Sequence, residues 1–170
     1  QVGYLIYAGY GDKTALTRVL EVVEVGTSEC ESIPGSTVRF VAERVKVFPP
    51  VKALEIAQDR LLEKQLFVKL DIPTPPFAPV DNIEDLRDAV SRNGLPAVLK
   101  TRRMGYDGKR QLVLRDTGAV DAAWKTLGGS PLLLEKYVSF QHELSVIGVR
   151  GGDRGEVFYP PVQNVHREGV

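Results

Sequence analysis

The residues of this 170-residue chain with the clearest chemical pattern lie between positions 96 and 111. A short apolar run ends in Lys100, a basic loop with Gly105 and Gly108 follows, and a second apolar run comes after the loop. This order predicts a β-hairpin that fixes one cation at the end of a strand and lets backbone N–H groups close over an anion. Such a hairpin could hold a polyphosphate, although Asp107 and the glycine after it are also typical of a plain hairpin turn. The spacing matches neither the G-x-x-x-x-G-K-[ST] phosphate loop nor the G-x-G-x-x-G dinucleotide fingerprint.

Charged side chains before this hairpin form a second candidate group. Arg60 and Lys64 are four residues apart in a helical pattern and therefore share one helix face, which is ordinarily a solvated surface. Glu31 lies in a turn between a predicted strand and a predicted helix, where ligands of open α/β sheets tend to bind. Helix capping by solvated acidic residues is the alternative interpretation of this turn. Neither position indicates a function by its residue type alone.

A βαβ order of elements is predicted for the first part of the chain. Residues 1–7 and 22–25 are strand-like, and Asp12 can cap a helix between them. A helix over 35–43 and a strand over 45–48 continue the order. Alternation of strands and helices predicts a parallel sheet and the α/β class.

Two consecutive prolines at 49 and 50 are the clearest break in the chain, because a helix cannot continue through them. We place a domain boundary at this point. Apolar side chains at helical spacing then predict one long amphipathic helix over residues 54–70. The segment 71–76 is rich in proline and has too few backbone donors for a central strand, so it predicts a linker.

The remaining residues predict a small α+β lobe and the beginning of another. In chain order the lobe has a strand over 77–80, a helix over 82–92, the hairpin, a helix over 117–126 and a buried strand over 131–135. Residues 144–149 and 156–159 then predict an antiparallel pair joined by a glycine-rich turn.

Composition excludes some classes of partner. The 22 basic and 22 acidic residues balance, with a pI near 7.0, which argues against a protein that binds nucleic acid or an anionic membrane through its overall charge. Cys30 is the only cysteine, so the chain can form no internal disulfide and suits a reducing, cytoplasmic location. No apolar run is long enough to cross a bilayer, and the first residues do not form a signal peptide.

Four motifs follow one another along the chain: Asp59-Arg60-Leu-x-x-Lys64, Lys100-Thr-Arg-Arg-x-Gly105-Tyr-Asp-Gly-Lys-x-Gln111, Glu143-Leu-Ser145 and Asn164-Val-His166-Arg-x-Gly169. In this order they resemble the ATP-grasp family, and within it the 5-(carboxyamino)imidazole ribonucleotide synthases. The resemblance extends from about residue 27 to the end of the chain, whereas residues 1–26 match loosely.

The resemblance implies a domain order. Residues 1–50 would be the second half of a Rossmann-like domain, and 51–76 a connecting helix and linker. Residues 77–135 would be the small lobe of an ATP-grasp domain with its phosphate-covering hairpin, and 136–170 the truncated start of the C-terminal lobe. The expected fold class is therefore α/β and α+β, with both domains incomplete, and we expect the chain to be an internal fragment of a longer protein.

The resemblance also implies which residues bind and react. Lys100 and Lys64 would neutralise phosphate charge during catalysis, and Glu31 would contact the ribonucleotide substrate. The segment from Glu135 would read the adenine edge, and Glu143 would accept hydrogen bonds from the ribose hydroxyls. The residues implied to bind ATP are Arg60, Lys100, Gly105, Tyr106, Asp107, Gly108, Lys109, Arg110, Gln111, Glu135, Lys136, Tyr137, Val138, Glu143 and His166. A lone histidine such as the last of these is otherwise more often structural.

The implied reaction uses ATP, Mg2+ and bicarbonate to carboxylate aminoimidazole ribonucleotide through carboxyphosphate. These small molecules would be the partners of the protein, and the family's common dimers allow a homodimer. The family's metal ligands are expected beyond Val170, so we predict that this chain alone does not turn over.

Two positions depart from the family pattern. Met104 and Arg110 stand where glycine is usual, and a side chain there would limit the approach of the backbone to phosphate if a positive φ is required. Two alternatives remain open: another ATP-grasp ligase or carboxylase, and a nucleotide-binding module without catalysis.

Overall fold

The computed structural model describes residues 3, 5–30, 32–105 and 110–165. The first elements are α1 (Lys13–Leu20), β1 (Val25–Thr27), α2 (Gly35–Ala42), β2 (Lys46–Phe48) and α3 (Val51–Ala57). Strands β1 and β2 pair in parallel, with α2 as their connection, so the predicted parallel βαβ unit is confirmed.

The first helix has the cap that the sequence predicts. The Asp12 carboxylate accepts hydrogen bonds from the backbone N–H groups of Thr14 and Ala15, each at 3.0 Å, and so satisfies donors that the helix cannot. The predicted strand at the start of the chain is wrong for Gly3 and residues 5–7, which form no strand. Leu5 is 89% exposed there, so no burial favours an extended strand.

The predicted long helix over 54–70 is wrong, because two helices occupy this stretch. Helix α3 ends at Ala57 and α4 (Arg60–Lys69) begins after Asp59. Asp59 has extended backbone angles and its carboxylate accepts a hydrogen bond from the N–H of Leu61, which caps the new helix. Apolar spacing continues across the break, which is why periodicity alone does not show it.

A four-stranded antiparallel sheet forms the centre of the second unit. Its strands are β3 (Phe77–Val80), β4 (Ala97–Thr101), β5 (Gln111–Leu114) and β6 (Leu132–Lys136), in the spatial order β3-β6-β4-β5. The predicted hairpin is therefore confirmed, and in its register Lys100 lies opposite Gln111. The predicted lobe helices are present as α5 (Ile83–Asn93) and α6 (Val120–Leu127).

The two faces of this sheet differ in burial. On one face, Leu99 and Leu134 are fully buried and join side chains of α5 and α6 in the main core. On the other face, Val98 and Lys100 alternate with them along β4, and Glu135 lies beside Val98 on β6. Because strand side chains alternate between faces, α5 and α6 do not cover this second face, and it can form a site.

Four short strands follow the lobe. Strand β7 (Glu143–Ser145) pairs with β10 (Val162–Asn164), and β8 (Gly148–Arg150) pairs with β9 (Glu156–Phe158), both antiparallel. The turn between β8 and β9 is where the sequence predicts it, but the predicted continuous strand over 144–149 divides into β7 and β8. No helix within the described residues has the length and apolar character to span a bilayer. The proposed domain boundary at residue 50 stays a prediction.

Candidate functional site

A cleft of about 420 Å³ lies on the face of the sheet opposite α5 and α6. Pro75, Val98 and Val113 supply apolar surface, and Phe140 stands at its edge after the last sheet strand. Seven of the predicted ATP-binding residues line the cleft: Lys100, Gln111, Glu135, Lys136, Tyr137, Val138 and Glu143. These residues come from strands β4, β5, β6 and β7 and from the segment directly after β6, so the tertiary fold brings the predicted group together.

Glu135 is the electrostatic centre of this cleft. Its residue is only 6% exposed, and its Oε2 atom lies 3.2 Å from the Lys100 Nζ and 3.4 Å from the Lys64 Nζ. The Lys64 ammonium also donates a hydrogen bond of 2.9 Å to the Thr74 hydroxyl. Two ammonium groups and one carboxylate leave a net charge of +1 in a poorly hydrated position, which favours an anionic ligand. The two lysines predicted to act on phosphate therefore lie together.

The backbone after β6 offers polar groups beside the apolar surface. The Lys136 N–H donates to Pro76 O at 2.8 Å, and the Tyr137 N–H donates to Pro96 O at 3.1 Å. The next amide, of Val138, has no recorded acceptor within the described parts of the chain. Val138 is 47% exposed, so a base lying against the apolar wall could meet this donor.

Glu143 is held at the far side of the cleft by the pairing of β7 with β10. Its Oε1 accepts a hydrogen bond of 2.9 Å from Asn164 Nδ2, and the same amide donates to Ser145 Oγ at 2.7 Å. Asn164 was not predicted as a site residue, because β10 gives no periodic signal in only three residues. Its amide orients the carboxylate that is expected to meet the ribose.

Arg60 lies at the base of the predicted phosphate-covering loop. Its guanidinium donates to the carbonyl oxygens of Thr101 and Gly105, each at 2.7 Å. A Cβ atom on Gly105 would collide with that guanidinium, so the glycine permits the close approach. Met104, just before it, has a φ of 60°, a left-handed conformation that glycine would adopt at less cost.

A buried ion cluster beside the loop was not predicted. Asp59 is 3% exposed, and its carboxylate accepts hydrogen bonds from Arg102 Nε at 2.9 Å and Arg102 Nη2 at 2.6 Å. Burial raises the pKa of Asp59, but the Arg102 and Leu61 hydrogen bonds and the charges of Arg102 and Arg103 outweigh it and lower the pKa overall. The helix-cap position of Asp59 was the available signal in the sequence, but its partners lie more than 40 residues away.

Several predicted residues fall elsewhere or outside the described parts of the chain. Arg110 lines a second cavity of about 420 Å³ together with Arg102 and Arg103. Within the described residues, no three His, Cys, Asp or Glu side chains converge as metal ligands. The predicted residues that lie outside the described ones are Glu31, Tyr106, Asp107, Gly108, Lys109 and His166.

The chain matches two domain families in succession. Residues 1–58 match the ribonucleotide synthetase preATP-grasp domain, and residues 65–170 match the ATP-grasp domain. The chain is 46% identical over 169 residues to an N5-carboxyaminoimidazole ribonucleotide synthase from Pseudomonas aeruginosa, covering 99% of this chain and 47% of that protein. A protein of the same name from Brucella melitensis is 38% identical over 97% of this chain and 46% of its own length.

Solved structures agree with these matches. N5-carboxyaminoimidazole ribonucleotide synthetase from Thermus thermophilus superposes with a TM-score of 0.91 at 44% identity, covering 99% of this chain and 45% of that one. The Staphylococcus aureus N5-carboxyaminoimidazole synthetase in complex with ADP superposes with a TM-score of 0.93 at 30% identity, covering 97% and 44%.

The chain spans about half the length of the relatives that it matches. Its fold class is mixed, with a partial preATP-grasp unit before a partial ATP-grasp unit, as the sequence predicts. The domain matches and the superpositions agree over nearly every residue, and the chain therefore belongs to the ATP-grasp family.

Proposed function

We propose that this chain supplies nucleotide-binding elements of a cytoplasmic ligase that carboxylates 5-aminoimidazole ribonucleotide in purine biosynthesis. The observation that carries the proposal is the convergence of Lys64 and Lys100 on buried Glu135, in a cleft with apolar walls and an exposed backbone edge. Relatives named for this product and a homologous structure that holds ADP support the same assignment.

The chemistry explains why such a protein needs ATP. The bicarbonate carbon is a poor electrophile, because hydroxide would have to leave. Attack of a bicarbonate oxygen on the γ-phosphorus forms a new P–O bond and releases ADP, giving carboxyphosphate. The exocyclic amine of the ribonucleotide then attacks the carboxyl carbon of carboxyphosphate, and phosphate leaves. Alternatively, carboxyphosphate first divides into CO2 and phosphate, and the amine attacks CO2. In both routes the amine loses a proton. The product is N5-carboxyaminoimidazole ribonucleotide.

The residues of the cleft suit the first part of this reaction. Lys100 and Lys64 would offset the phosphate charge that grows on the leaving ADP, and a preorganised cation in a poorly hydrated site does this best. Val138 would bind the adenine edge, and Glu143 would accept hydrogen bonds from the ribose hydroxyls. Residues 105–111 would cover the phosphates and exclude water from an intermediate that hydrolyses readily.

The other predicted contacts are part of the same proposal. Arg60 would add a cation near the nucleotide, Glu31 would bind the ribonucleotide, and His166 would lie near ATP. Mg2+, when bound, would offset phosphate charge and act as a Lewis acid on the transferred phosphoryl group. The described residues contain no convergent set of ligands for it, so the chain's own residues are assigned binding and charge neutralisation only. A homodimer, expected from the family, would be checked by light scattering.

Thermal stabilisation by nucleotides tests the proposal. We expect MgATP and MgADP to raise the melting temperature of the chain and MgGTP to leave it unchanged, because a ligand at 100 times its Kd adds about 2.7 kcal/mol to folding. Lys100→Ala should abolish the shift, whereas Lys125→Ala, an exposed lysine on α6, should retain it. Equal shifts with MgATP and MgGTP, or no shift with either, would contradict the proposal.

A further inference from the structure

Among the described residues, the Thr74 hydroxyl is the nearest polar partner of the Lys64 ammonium. The Nζ–Oγ1 distance is 2.9 Å, against 3.4 Å from the same Nζ to Glu135 Oε2. The Lys64 side chain is 14% exposed, so little water competes for its N–H groups. Thr74 lies in the linker before β3, ten residues from Lys64, and no motif in the sequence identifies it.

The backbone around Thr74 makes this acceptor rigid. Proline on each side, at 73 and 75, limits the conformations of the segment, and a residue before proline is restricted to extended backbone. Threonine is also stiff at χ1 because it is β-branched. Pro75 lines the nucleotide cleft, and two residues later Phe77 pairs with Glu135 in the sheet. The linker therefore fixes the position of the Thr74 hydroxyl relative to the Glu135 carboxylate.

We propose that Thr74 is a positioning residue that orients the ammonium of Lys64 for phosphate. An ammonium group has three N–H donors, and the hydrogen bond to Thr74 together with the ion pair to Glu135 restricts its orientation and leaves N–H donors for phosphate. Without the hydroxyl, Lys64 would bond more closely to Glu135 and compete with Lys100 for the same oxygen. This inference rests on the proposed function and deepens it, because it gives Thr74 a role in phosphate binding at the end of the cleft where Lys64 and Lys100 lie.

The test compares Thr74→Val with Thr74→Ser in the whole chain. Valine keeps the shape of the side chain and removes the acceptor, whereas serine keeps the hydroxyl. We expect Thr74→Val to weaken MgATP binding about three- to tenfold, which corresponds to the net contribution of one ordinary hydrogen bond, and Thr74→Ser to bind within about twofold of wild type. Adenosine carries no phosphate, so its affinity, measured by NMR titration, should not change in either variant.

A double-mutant cycle with Lys64→Ala separates positioning from a general effect on the linker. If Thr74 acts through Lys64, Thr74→Val should have no further effect on MgATP affinity in the Lys64→Ala background. Equal losses in both backgrounds, equal losses for MgATP and adenosine, or a serine variant as weak as valine would overturn the role. A wild-type chain that binds no adenine nucleotide would overturn the proposed function and this role with it. Tight wild-type binding that Thr74→Val leaves unchanged would overturn the role of Thr74 alone.

Discussion

At the scale of single residues, Asp59 joins the first helices to the loop that follows β4. One carboxylate caps α4 and accepts hydrogen bonds from Arg102 and Arg103, which lie just after β4. Because the carboxylate is 95% shielded from solvent, its partners cannot be replaced by water at little cost. The base of the loop therefore depends on a charge that lies outside the loop itself.

Asp59→Asn tests this dependence, because it keeps the shape of the side chain and removes the charge. We expect a loss of roughly 2–4 kcal/mol in the free energy of unfolding, measured by urea denaturation at pH 7, since it leaves Arg102 without its counter-ion. The control is Glu156→Gln, which breaks the exposed pair with Arg150 and should cost less than about 1 kcal/mol. Similar losses for the two variants would contradict the importance of burial.

The same experiment has a pH dependence with a definite sign. The pKa of Asp59 is lower in the folded chain than in the unfolded one, so the unfolded state takes up the proton first as the pH falls. The stabilisation is complete above the unfolded pKa of about 4 and is lost as the pH falls through the lowered folded value. The difference in stability between wild type and Asp59→Asn should therefore shrink below about pH 4. A difference that stays constant to pH 2 would be inconsistent with the lowered pKa.

At the scale of elements, the two faces of the central sheet differ in burial and therefore in their contribution to stability. Leu99 on β4 is fully buried among the helices, whereas Val113 on β5 is 42% exposed and lines the cleft. One face stabilises the lobe by burying apolar area, and the other leaves apolar area open for a ligand. A strand can do both because successive side chains point in opposite directions.

Truncation of one side chain on each face should separate these tasks. Leu99→Ala should lower the free energy of unfolding by about 2–5 kcal/mol, because it leaves a cavity in the core. Val113→Ala should cost less than about 1 kcal/mol, because its side chain is already half in water. Chemical denaturation of both variants measures the contrast, and a loss for Val113→Ala as large as that for Leu99→Ala would show that the open face is also part of the core.

At the scale of the whole molecule, burial is concentrated in the middle of the chain. Every fully buried large side chain in the described residues lies between Val80 and Leu134. By contrast, all residues of β8 and β9 are exposed, including Val149, Val157 and Phe158. Short strand pairs without a covered face contribute little stability of their own.

Hydrogen exchange should reveal this gradient. Amides of β4 and β6, the two central strands, are expected to exchange slowest, at the rate set by global unfolding. Amides of β8 and β9 should exchange much faster through local opening. Mass spectrometry of peptides covering 97–101 and 148–158 makes the comparison, and equal protection of the two segments would show that the last strands have a core of their own.

Local patterns predicted much of this architecture. The alternation of β4, the apolar runs on either side of the glycine-containing loop and the cap at Asp12 are encoded in adjacent residues, so helices, strands and the hairpin could be predicted. The break at Asp59 could not, because apolar spacing continues through it. At the break, Asp59 has extended backbone angles, and its carboxylate caps α4 while it is held by Arg102, 43 residues further along.

The sequence by itself therefore determined the family, much of the order of elements and most of the residues that line the cleft. Its motifs name Lys64, Lys100 and Glu135 separately, but do not state that they meet. Only the tertiary structure decided that two lysines share one buried oxygen, and that a linker threonine holds one of them. Periodicity encodes which face of an element is buried, whereas the partner across that face depends on how the chain folds back on itself.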